Sequence, residues 1–234
     1  MTELAIVIPT KNEELFLPRL LASLTVQDYS LLAETPIIIA DAGSTDGTLD
    51  AALTFSKKLR IMLCKGGSPA VGRNSGANLI ESEFVLFLDA DVVLYHRHFI
   101  SQLISHIRDN ELWLVTAHMT YTPTQRLEKM LSWCQSGLLY GSKFFRPFAA
   151  GPCMLFLKEA FKALGGFDES LSFTEDRELS ALVPRKFFDV VPIRYQTSNR
   201  RIRRHGVVKT LRIFFSIVLL QRFLGNRFEP KDYW

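Results

Sequence analysis

The chain has 234 residues, of which 47% are apolar and 22% are charged, and this composition excludes an intrinsically disordered protein. Its three cysteines, Cys64, Cys134 and Cys153, are too few and too scattered for a disulfide framework or a thiolate metal site. The net charge of +4 is uneven, because residues 190–228 contain nine Lys or Arg and no acid, which leaves about −5 elsewhere. The basic character is therefore local to the C-terminal part.

The first half alternates between two kinds of hydrophobic pattern. Four apolar runs predict strands that are buried on both faces: Leu4–Pro9, Pro36–Asp41, Arg60–Cys64 and Phe84–Asp89. The segments between them have helical spacing: Glu13–Gln27, Asp46–Lys58 and Pro69–Glu81. This order predicts an α/β domain with a mostly parallel sheet, helices on both faces, and a ligand site at the carboxyl ends of the strands.

The second half is less regular, and no repeat or linker divides it from the first. Its patterns predict helices near Arg97–Asp109, within 124–140 and near Asp176–Phe187, and strands at Leu112–His118 and Cys153–Leu157. We therefore expect one domain over residues 1–206, with halves at 1–95 and 96–206, followed by a basic and apolar helix over 207–234.

That C-terminal segment contains an apolar run, Ile213–Leu220, which is far shorter than the roughly 20 residues that span a bilayer. Two interpretations stay open: a helix that lies on anionic lipids, and a helix that packs on the sheet. The basic run lacks interleaved aromatic residues and a nucleic-acid-binding motif, so we expect no nucleic-acid partner. Met1–Ile8 resembles no secretory signal, which predicts a cytoplasmic protein, with the inner face of the cell membrane as an alternative location.

Polar residues follow each predicted strand. After the first strand, Thr10 or Asn12 is expected to cap the next helix. After the second, Asp41 opens a tight turn that runs to Thr48. After the third, a glycine-containing loop leads to Arg73, whose guanidinium can grip a carbonyl or a phosphate.

The fourth strand ends in Asp89-Ala90-Asp91, which is the sharpest signal in the chain. Two carboxylates on a rigid strand end suit a hard divalent cation that keeps positions open for substrate phosphates. An acidic helix cap is the alternative interpretation.

Taken together, these motifs resemble those of family 2 glycosyltransferases over roughly residues 4–180. Asp89-Ala90-Asp91 after a buried strand, preceded by Arg73-Asn74-Ser75-Gly76-Ala77, looks like the family's Asp-x-Asp region. Thr174-Glu175-Asp176 resembles its Glu-Asp motif, and Gly151–Phe156 resembles the segment that closes over the donor phosphates. The resemblance implies a Rossmann-like GT-A fold and transfer of a sugar from a nucleoside-diphosphate sugar.

By this resemblance, Asp176 is the general base of an inverting displacement, since a carboxylate can take the proton of an attacking hydroxyl. A helix cap by Asp176 is the alternative. The implied cofactor is Mn²⁺ or Mg²⁺, held by Asp89 and Asp91. The implied donor-binding residues are Pro9, Lys11, Glu13, Asp41, Arg73 and Asp89, and the implied contacts to the acceptor or the phosphates are Gly151 and Glu175. Outside the region of resemblance, Arg201 and Arg204 are expected to neutralise the departing nucleoside diphosphate, with His205 as a further metal ligand or, alternatively, a purely structural residue.

One departure concerns the nucleotide-binding turn, where Ala42 stands in place of the family's second Asp. The Gln-x-x-Arg-Trp segment of processive synthases does not occur either, so we expect transfer of a single sugar, to a sugar or a lipid-linked acceptor. A nucleotidyltransferase and a non-catalytic nucleotide-sugar-binding protein are the alternatives. The former would carry a glycine-rich phosphate loop after the first strand, where Pro9–Glu13 has no glycine.

Overall fold

A seven-stranded sheet organises the chain in the computed structural model, which describes residues 1–122, 126–171 and 174–200. The strands are β1 (Thr2–Thr10), β2 (Pro36–Asp41), β3 (Arg60–Lys65), β4 (Ser82–Leu88), β5 (Leu114–Thr122), β6 (Cys153–Leu157) and β7 (Phe188–Ser198). Their order is β3-β2-β1-β4-β6-β5-β7. Strands β1 to β4 are mutually parallel where they pair, and β6 is antiparallel to both β4 and β5. The predicted α/β class with a mostly parallel sheet is confirmed.

Helices cover both faces of this sheet. They are α1 (Leu17–Thr25), α2 (Thr48–Leu53), α3 (Pro69–Leu79), α4 (Phe99–Asp109), α5 (Arg126–Ser142), α6 (Lys158–Ala163) and α7 (Glu175–Leu182), with a 3₁₀ turn at Arg185–Phe187. One hydrophobic cluster packs α1, α2 and α4 against the sheet, and a second packs α3, α5, α6 and α7. The sequence patterns predict neither α6 nor β7, and they extend the last predicted helix across a break that the structure places after Leu182.

Strand β1 lies at the centre of this arrangement. Its side chains alternate between the clusters, with Ile6 and Ile8 on one face and Ala5 and Val7 on the other. A continuous apolar run is the expected pattern for a strand covered on both faces. The prediction of double burial is wrong for β3, which pairs with β2 at the sheet edge and leaves Leu63 44% exposed.

Close packing of α3 on the sheet depends on Gly76. A Cβ atom at this position would lie 2.4 Å from Cγ1 of Val7 on β1, so any side chain would push the helix away. This contact sets the distance between α3 and strands β1 and β2. The first turn of α3 therefore lies at the edge of the sheet where the parallel strands β1 to β4 end.

Within the described part of the chain, no helix is long and apolar enough to cross a membrane. The predicted helix over 207–234 lies outside the described residues, and so do Arg201, Arg204 and His205.

Candidate active site

Arg73 is the centre of the candidate site. Ser68 caps the start of α3, with its Oγ 3.4 Å from the amide nitrogen of Val71, and Arg73 follows one turn later. The Arg73 side chain is buried, yet Nη1 donates to Glu175 Oε1 at 2.6 Å and Nη2 donates to Asp89 Oδ1 at 2.8 Å. One guanidinium thus joins the end of β4 to the start of α7, and Glu175 lies 102 residues beyond Arg73 in the chain.

The charge of Arg73 is stable in this interior position. Burial alone would lower the pKa of the guanidinium, but the carboxylates of Asp89 and Glu175 outweigh that effect and raise it further. The ring of Phe167 adds a cation–π contact, with its centroid 5.3 Å from Cζ. Arg73 therefore remains a permanent cation between two acids.

Asp176 lies next to this ion-pair cluster. Its Oδ2 accepts a hydrogen bond from the backbone N–H of Gly151 at 2.6 Å, and its Oδ1 accepts one from Arg177 N–H at 2.7 Å. Dense surroundings and the adjacent charge of Glu175 raise the pKa of Asp176 to about 6, although the Arg73 cation acts in the opposite direction. The N-cap of α7 is Thr174 rather than Asp176, so the helix-cap interpretation of Asp176 is not supported.

Two backbone features place these groups. Thr174 has a left-handed backbone, with φ of 64°, directly before the Glu175–Asp176 pair. A Cβ atom on Gly151 would lie 2.9 Å from Arg73 Nη2 and 3.0 Å from Asp176 Oδ2. Only glycine leaves the room that the guanidinium and the carboxylate need at this point.

Asp91 has different partners from Asp89. Its Oδ1 accepts from the hydroxyl of Thr197 at 3.1 Å and its Oδ2 accepts from Ser198, both near the end of β7. Arg200 Nε lies 3.7 Å from the same Oδ2. Neither hydroxyl is predicted from the sequence, because β7 itself is not predicted. A Thr-Ser pair at the end of an apolar run is nevertheless a pattern that could have indicated them.

Arg200 also reaches the end of β1. Its two terminal nitrogens donate to the carboxylate of Glu13 at 2.6 and 2.9 Å. Burial raises the pKa of Glu13, while the ion pair with Arg200 opposes that shift. Glu13 and Asp91 therefore share one cation at the mouth of the site. The neighbouring predicted residues are a partly buried Pro9 and an exposed Lys11.

Asp41 is enclosed by its own turn. It accepts hydrogen bonds from the backbone N–H groups of Gly43 and Ser44 at 3.0 and 2.9 Å and from the hydroxyl of Thr10 at 3.2 Å. Burial opposes ionisation of this carboxyl, but the hydrogen bonds from Ser44 and Gly43 outweigh it and lower the pKa of Asp41. Asp41 is therefore ionised over the whole neutral range.

The expected helix caps after β1 are wrong. The N-cap of α1 is Phe16, and no side chain caps it. Asn12 instead adopts a left-handed backbone, with φ of 55°, and its Oδ1 accepts from Thr45 N–H at 2.9 Å. Thr10 and Asn12 thus connect the loop after β1 to the loop after β2, which builds one continuous rim.

Among the described residues, no group of three or more His, Cys, Asp or Glu side chains could enclose a metal ion. A Mg²⁺-like ion does not need such a cage, since it commonly binds through one or two carboxylates together with waters and substrate phosphates. Asp89 and Asp91, one residue apart at a strand end, fit that mode. His205, predicted as a further ligand, lies outside the described residues.

A family model matches most of the sequence. The model for glycosyl transferase family 2 matches residues 5–165, which include most of β1, all of β2 to β6 and both Asp89 and Asp91. The chain belongs to glycosyl transferase family 2.

Relatives of this chain include two glycosyltransferases whose names state different acceptors. The poly(ribitol-phosphate) β-N-acetylglucosaminyltransferase TarS of Staphylococcus aureus is 34% identical over 95 residues, which cover 39% of this chain and 16% of TarS. The 4,4'-diaponeurosporenoate glycosyltransferase of Staphylococcus haemolyticus is 30% identical over 138 residues, covering 55% of this chain and 36% of that protein. The chain thus matches less than half the length of either relative.

Solved structures of glycosyltransferases share the GT-A fold with this chain. TarS residues 1–349 of S. aureus in complex with UDP-GlcNAc align with a TM-score of 0.67 and 20% identity, covering 84% of this chain and 58% of that one. The mannosyltransferase PcManGT of Pyrobaculum calidifontis, in complex with GDP-Man and Mn²⁺, aligns with a TM-score of 0.66 and 19% identity. That alignment covers 91% of this chain and 64% of the mannosyltransferase.

Proposed function

We propose that this protein transfers one sugar from a nucleoside-diphosphate sugar to an acceptor hydroxyl, with inversion and with a divalent metal ion. The observation that carries the proposal is the position of Asp176. This carboxyl group is held beside the Arg73 ion-pair cluster, with a pKa raised to about 6, and the cluster joins it to the Asp89 end of β4. The Arg73 guanidinium thus connects the proposed base to the end of β4, where the donor would bind.

In the proposed reaction, Asp176 takes the proton of the acceptor hydroxyl while the oxygen of that hydroxyl bonds to the anomeric carbon of the donor sugar. The bond from that carbon to the diphosphate oxygen breaks, and the nucleoside diphosphate leaves with the electron pair. A base with a pKa near the working pH is well matched to this task. The hydrogen bonds from Gly151 and Arg177 hold the carboxylate in place before substrate arrives.

On the donor side, Asp41 and the rim that contains Lys11 and Glu13 would contact the nucleoside. The structural neighbours TarS and PcManGT have been solved in complex with UDP-GlcNAc and GDP-Man, respectively. We assign Arg73 a positioning role instead of direct contact with the nucleoside, because its guanidinium is 2% exposed and already donates to two carboxylates.

Asp89 and Asp91 would hold the Mn²⁺ or Mg²⁺ ion, which when bound offsets negative charge on the diphosphate. Beyond β7, Arg201 and Arg204 would add positive charge near the departing group, and His205 would be a further ligand of the metal ion. Arg200, which already reaches Asp91 and Glu13, connects this basic segment to the site.

For the acceptor, we propose a lipid-linked molecule, with a sugar as the alternative. The basic and apolar segment 207–234 motivates this choice, since such a composition favours peripheral contact with anionic lipid. The proposal includes a cytoplasmic location at the inner face of the cell membrane.

The first experiment measures the melting temperature of the purified chain with UDP-, GDP-, dTDP- and CDP-linked sugars, with and without Mn²⁺. A ligand that binds only the folded state raises the melting temperature in proportion to the logarithm of its concentration over Kd. We expect a metal-dependent rise with one nucleotide family.

Two variants assign the roles, with Asp109→Asn at the exposed end of α4 as the matched control. Asp91→Asn should remove the metal-dependent rise. Asp176→Asn should keep the rise while it abolishes turnover, because the base acts mainly in the transition state. Equal loss of donor binding in both variants would contradict the assignment, and no rise with any donor would favour a non-catalytic protein.

A further inference from the structure

Helix α5 and the turn after it expose a set of large apolar side chains. We call this set the α5 patch, and it consists of Met130, Trp133, Leu138, Tyr140, Phe144 and Phe145. Trp133 is 76% exposed and Phe145 is 84% exposed, so their rings face solvent almost entirely. Tyr140 and Phe144 contact each other, with ring centroids 5.9 Å apart. Single exposed apolar residues are common, but several large ones on one helix and the turn after it mark an interaction surface.

The patch is not the side of α5 that packs on the domain. Ser132 and Leu139 are buried, and Leu139 belongs to the core cluster beneath the helix. Met130, Trp133 and Leu138 follow the spacing of a second helical face. The helix therefore presents one apolar side to the protein interior and another to its surroundings.

Cations surround this second face. Arg146 follows Phe145 directly and is exposed. Arg185 reaches the patch from the 3₁₀ turn, where its Nη1 donates to the carbonyl oxygen of Phe144 at 2.8 Å, and it brings Lys186 with it. Both residues are exposed in the described structure.

Among the side chains that the structure describes, two acids lie beside these cations, Glu178 and Asp189, and each already has a basic partner. Glu178 lies 3.8 Å from Arg146, and Asp189 pairs with both Lys143 and His106. Arg185 and Lys186 are left without a nearby acid among the ion pairs of the described residues. The rim of the patch is therefore positive.

We propose that the α5 patch docks this protein onto an anionic lipid bilayer. Trp, Tyr and Phe rings with flanking Lys and Arg match the border between headgroups and acyl chains, where the ring enters the apolar layer and the cation meets lipid phosphate. Charge also argues against a second copy of this chain as the occupant. A two-fold interface would place the Arg185 and Lys186 rims of two copies close together, where they repel.

The patch also lies near the candidate base. Arg146, at the rim of the patch, lies 3.8 Å from Glu178, which is two residues beyond Asp176 on α7. Along the chain, Arg146 precedes Gly151, whose N–H binds Asp176, by only five residues. Docking through the patch would therefore bring Asp176, where the acceptor would bind, close to the lipid surface. This orientation rests on the proposed function, whereas the docking itself does not.

The test uses co-sedimentation of the full chain with vesicles of phosphatidylcholine, with or without phosphatidylglycerol. We expect binding to the anionic vesicles, and at least about tenfold weaker binding for the double variant Trp133→Ser, Phe145→Ser. The matched control is Val26→Ser, Leu53→Ser, which removes exposed apolar side chains at two distant sites and should bind like the parent. Unchanged melting temperatures and donor-induced shifts show that each variant is folded and separate this test from the proposed transfer.

A second measurement places the contact. In a chain with Trp113→Phe and Trp234→Phe, Trp133 is the remaining tryptophan, and brominated lipid should quench its fluorescence on binding. Full binding by the serine double variant, or binding without quenching of Trp133, would overturn the proposal and point to segment 207–234 as the contact. Lipid-independent dimerisation that the double variant abolishes would also overturn it, in favour of a second copy.

Discussion

Replacement of Arg73 by Met tests whether the ion-pair cluster holds the site together. Met fills a similar apolar volume but leaves Asp89 and Glu175 beside each other without their shared cation. Loss of one partner from a buried ion pair costs about 3–5 kcal/mol, because the remaining charge stays buried without compensation. Of the two carboxylates left behind, Glu175 is 10% exposed and takes most of this cost, whereas Asp89 is 28% exposed and is partly screened by solvent.

The expected change is large enough for routine measurement. In a domain of 150–250 residues, 1 kcal/mol corresponds to about 2–4 °C in melting temperature, so Arg73→Met should lower it by about 6–20 °C. Urea unfolding followed by circular dichroism gives the free energy directly. Arg97→Met is the control, since Arg97 pairs with Asp28 at 3.8 Å through a side chain that is 70% exposed, and a change below about 1 kcal/mol is expected.

A second substitution identifies the cause. Glu175→Gln removes one of the two carboxylate charges that Arg73→Met leaves unpaired, so the double variant should recover part of the lost stability. A loss of less than about 1 kcal/mol in the free energy of unfolding of Arg73→Met would refute the reasoning. So would a double variant whose loss equals the sum of the losses of the two single variants, because the three charges would then not act as a network.

Two further predictions concern Asp176. Gly151→Ala places a methyl group within 3.0 Å of both Arg73 Nη2 and Asp176 Oδ2, so it should shift the Asp176 carboxylate. We expect kcat to fall about a hundredfold, while the donor-induced rise in melting temperature persists. An unchanged kcat would contradict this role of Gly151. The pKa of about 6 predicts that kcat/KM falls about tenfold per pH unit below pH 6, since the base must be ionised to accept a proton, and a flat profile between about pH 4.5 and 7 would exclude Asp176 as the base.

Local patterns were sufficient to predict which edge of the sheet carries the aspartates that follow β2 and β4. Strand β4 is an apolar run that ends in two carboxylates, so Asp89 and Asp91 could be placed at the carboxyl end of a strand from sequence alone. Parallel pairing of β1 with β2 then brings Asp41 to the same edge. These inferences need only the period of a buried strand and the direction of its neighbours.

The partners of those carboxylates could not be predicted in this way. Arg73 and Glu175 meet across 102 residues, and no local period encodes such a contact. Strand β7 was missed because Pro192 interrupts its pattern, and the structure resolves the conflict with a register shift that leaves Pro192 and Ile193 outside the pairing with β5. Proline is tolerated on an edge strand and at a bulge of this kind.

The junction through Arg73 also limits how family members can be recombined. Asp89 and Arg73 lie in the first half of the domain, whereas Glu175 and Gly151 lie in the second, and the guanidinium donates hydrogen bonds to both halves. A chimera that joins the first half of this chain to the second half of a relative therefore keeps the Arg73–Asp89 pair but loses the second acid unless the relative supplies a carboxylate at the position of Glu175. Exchanges that keep Arg73, Asp89 and Glu175 together avoid this loss.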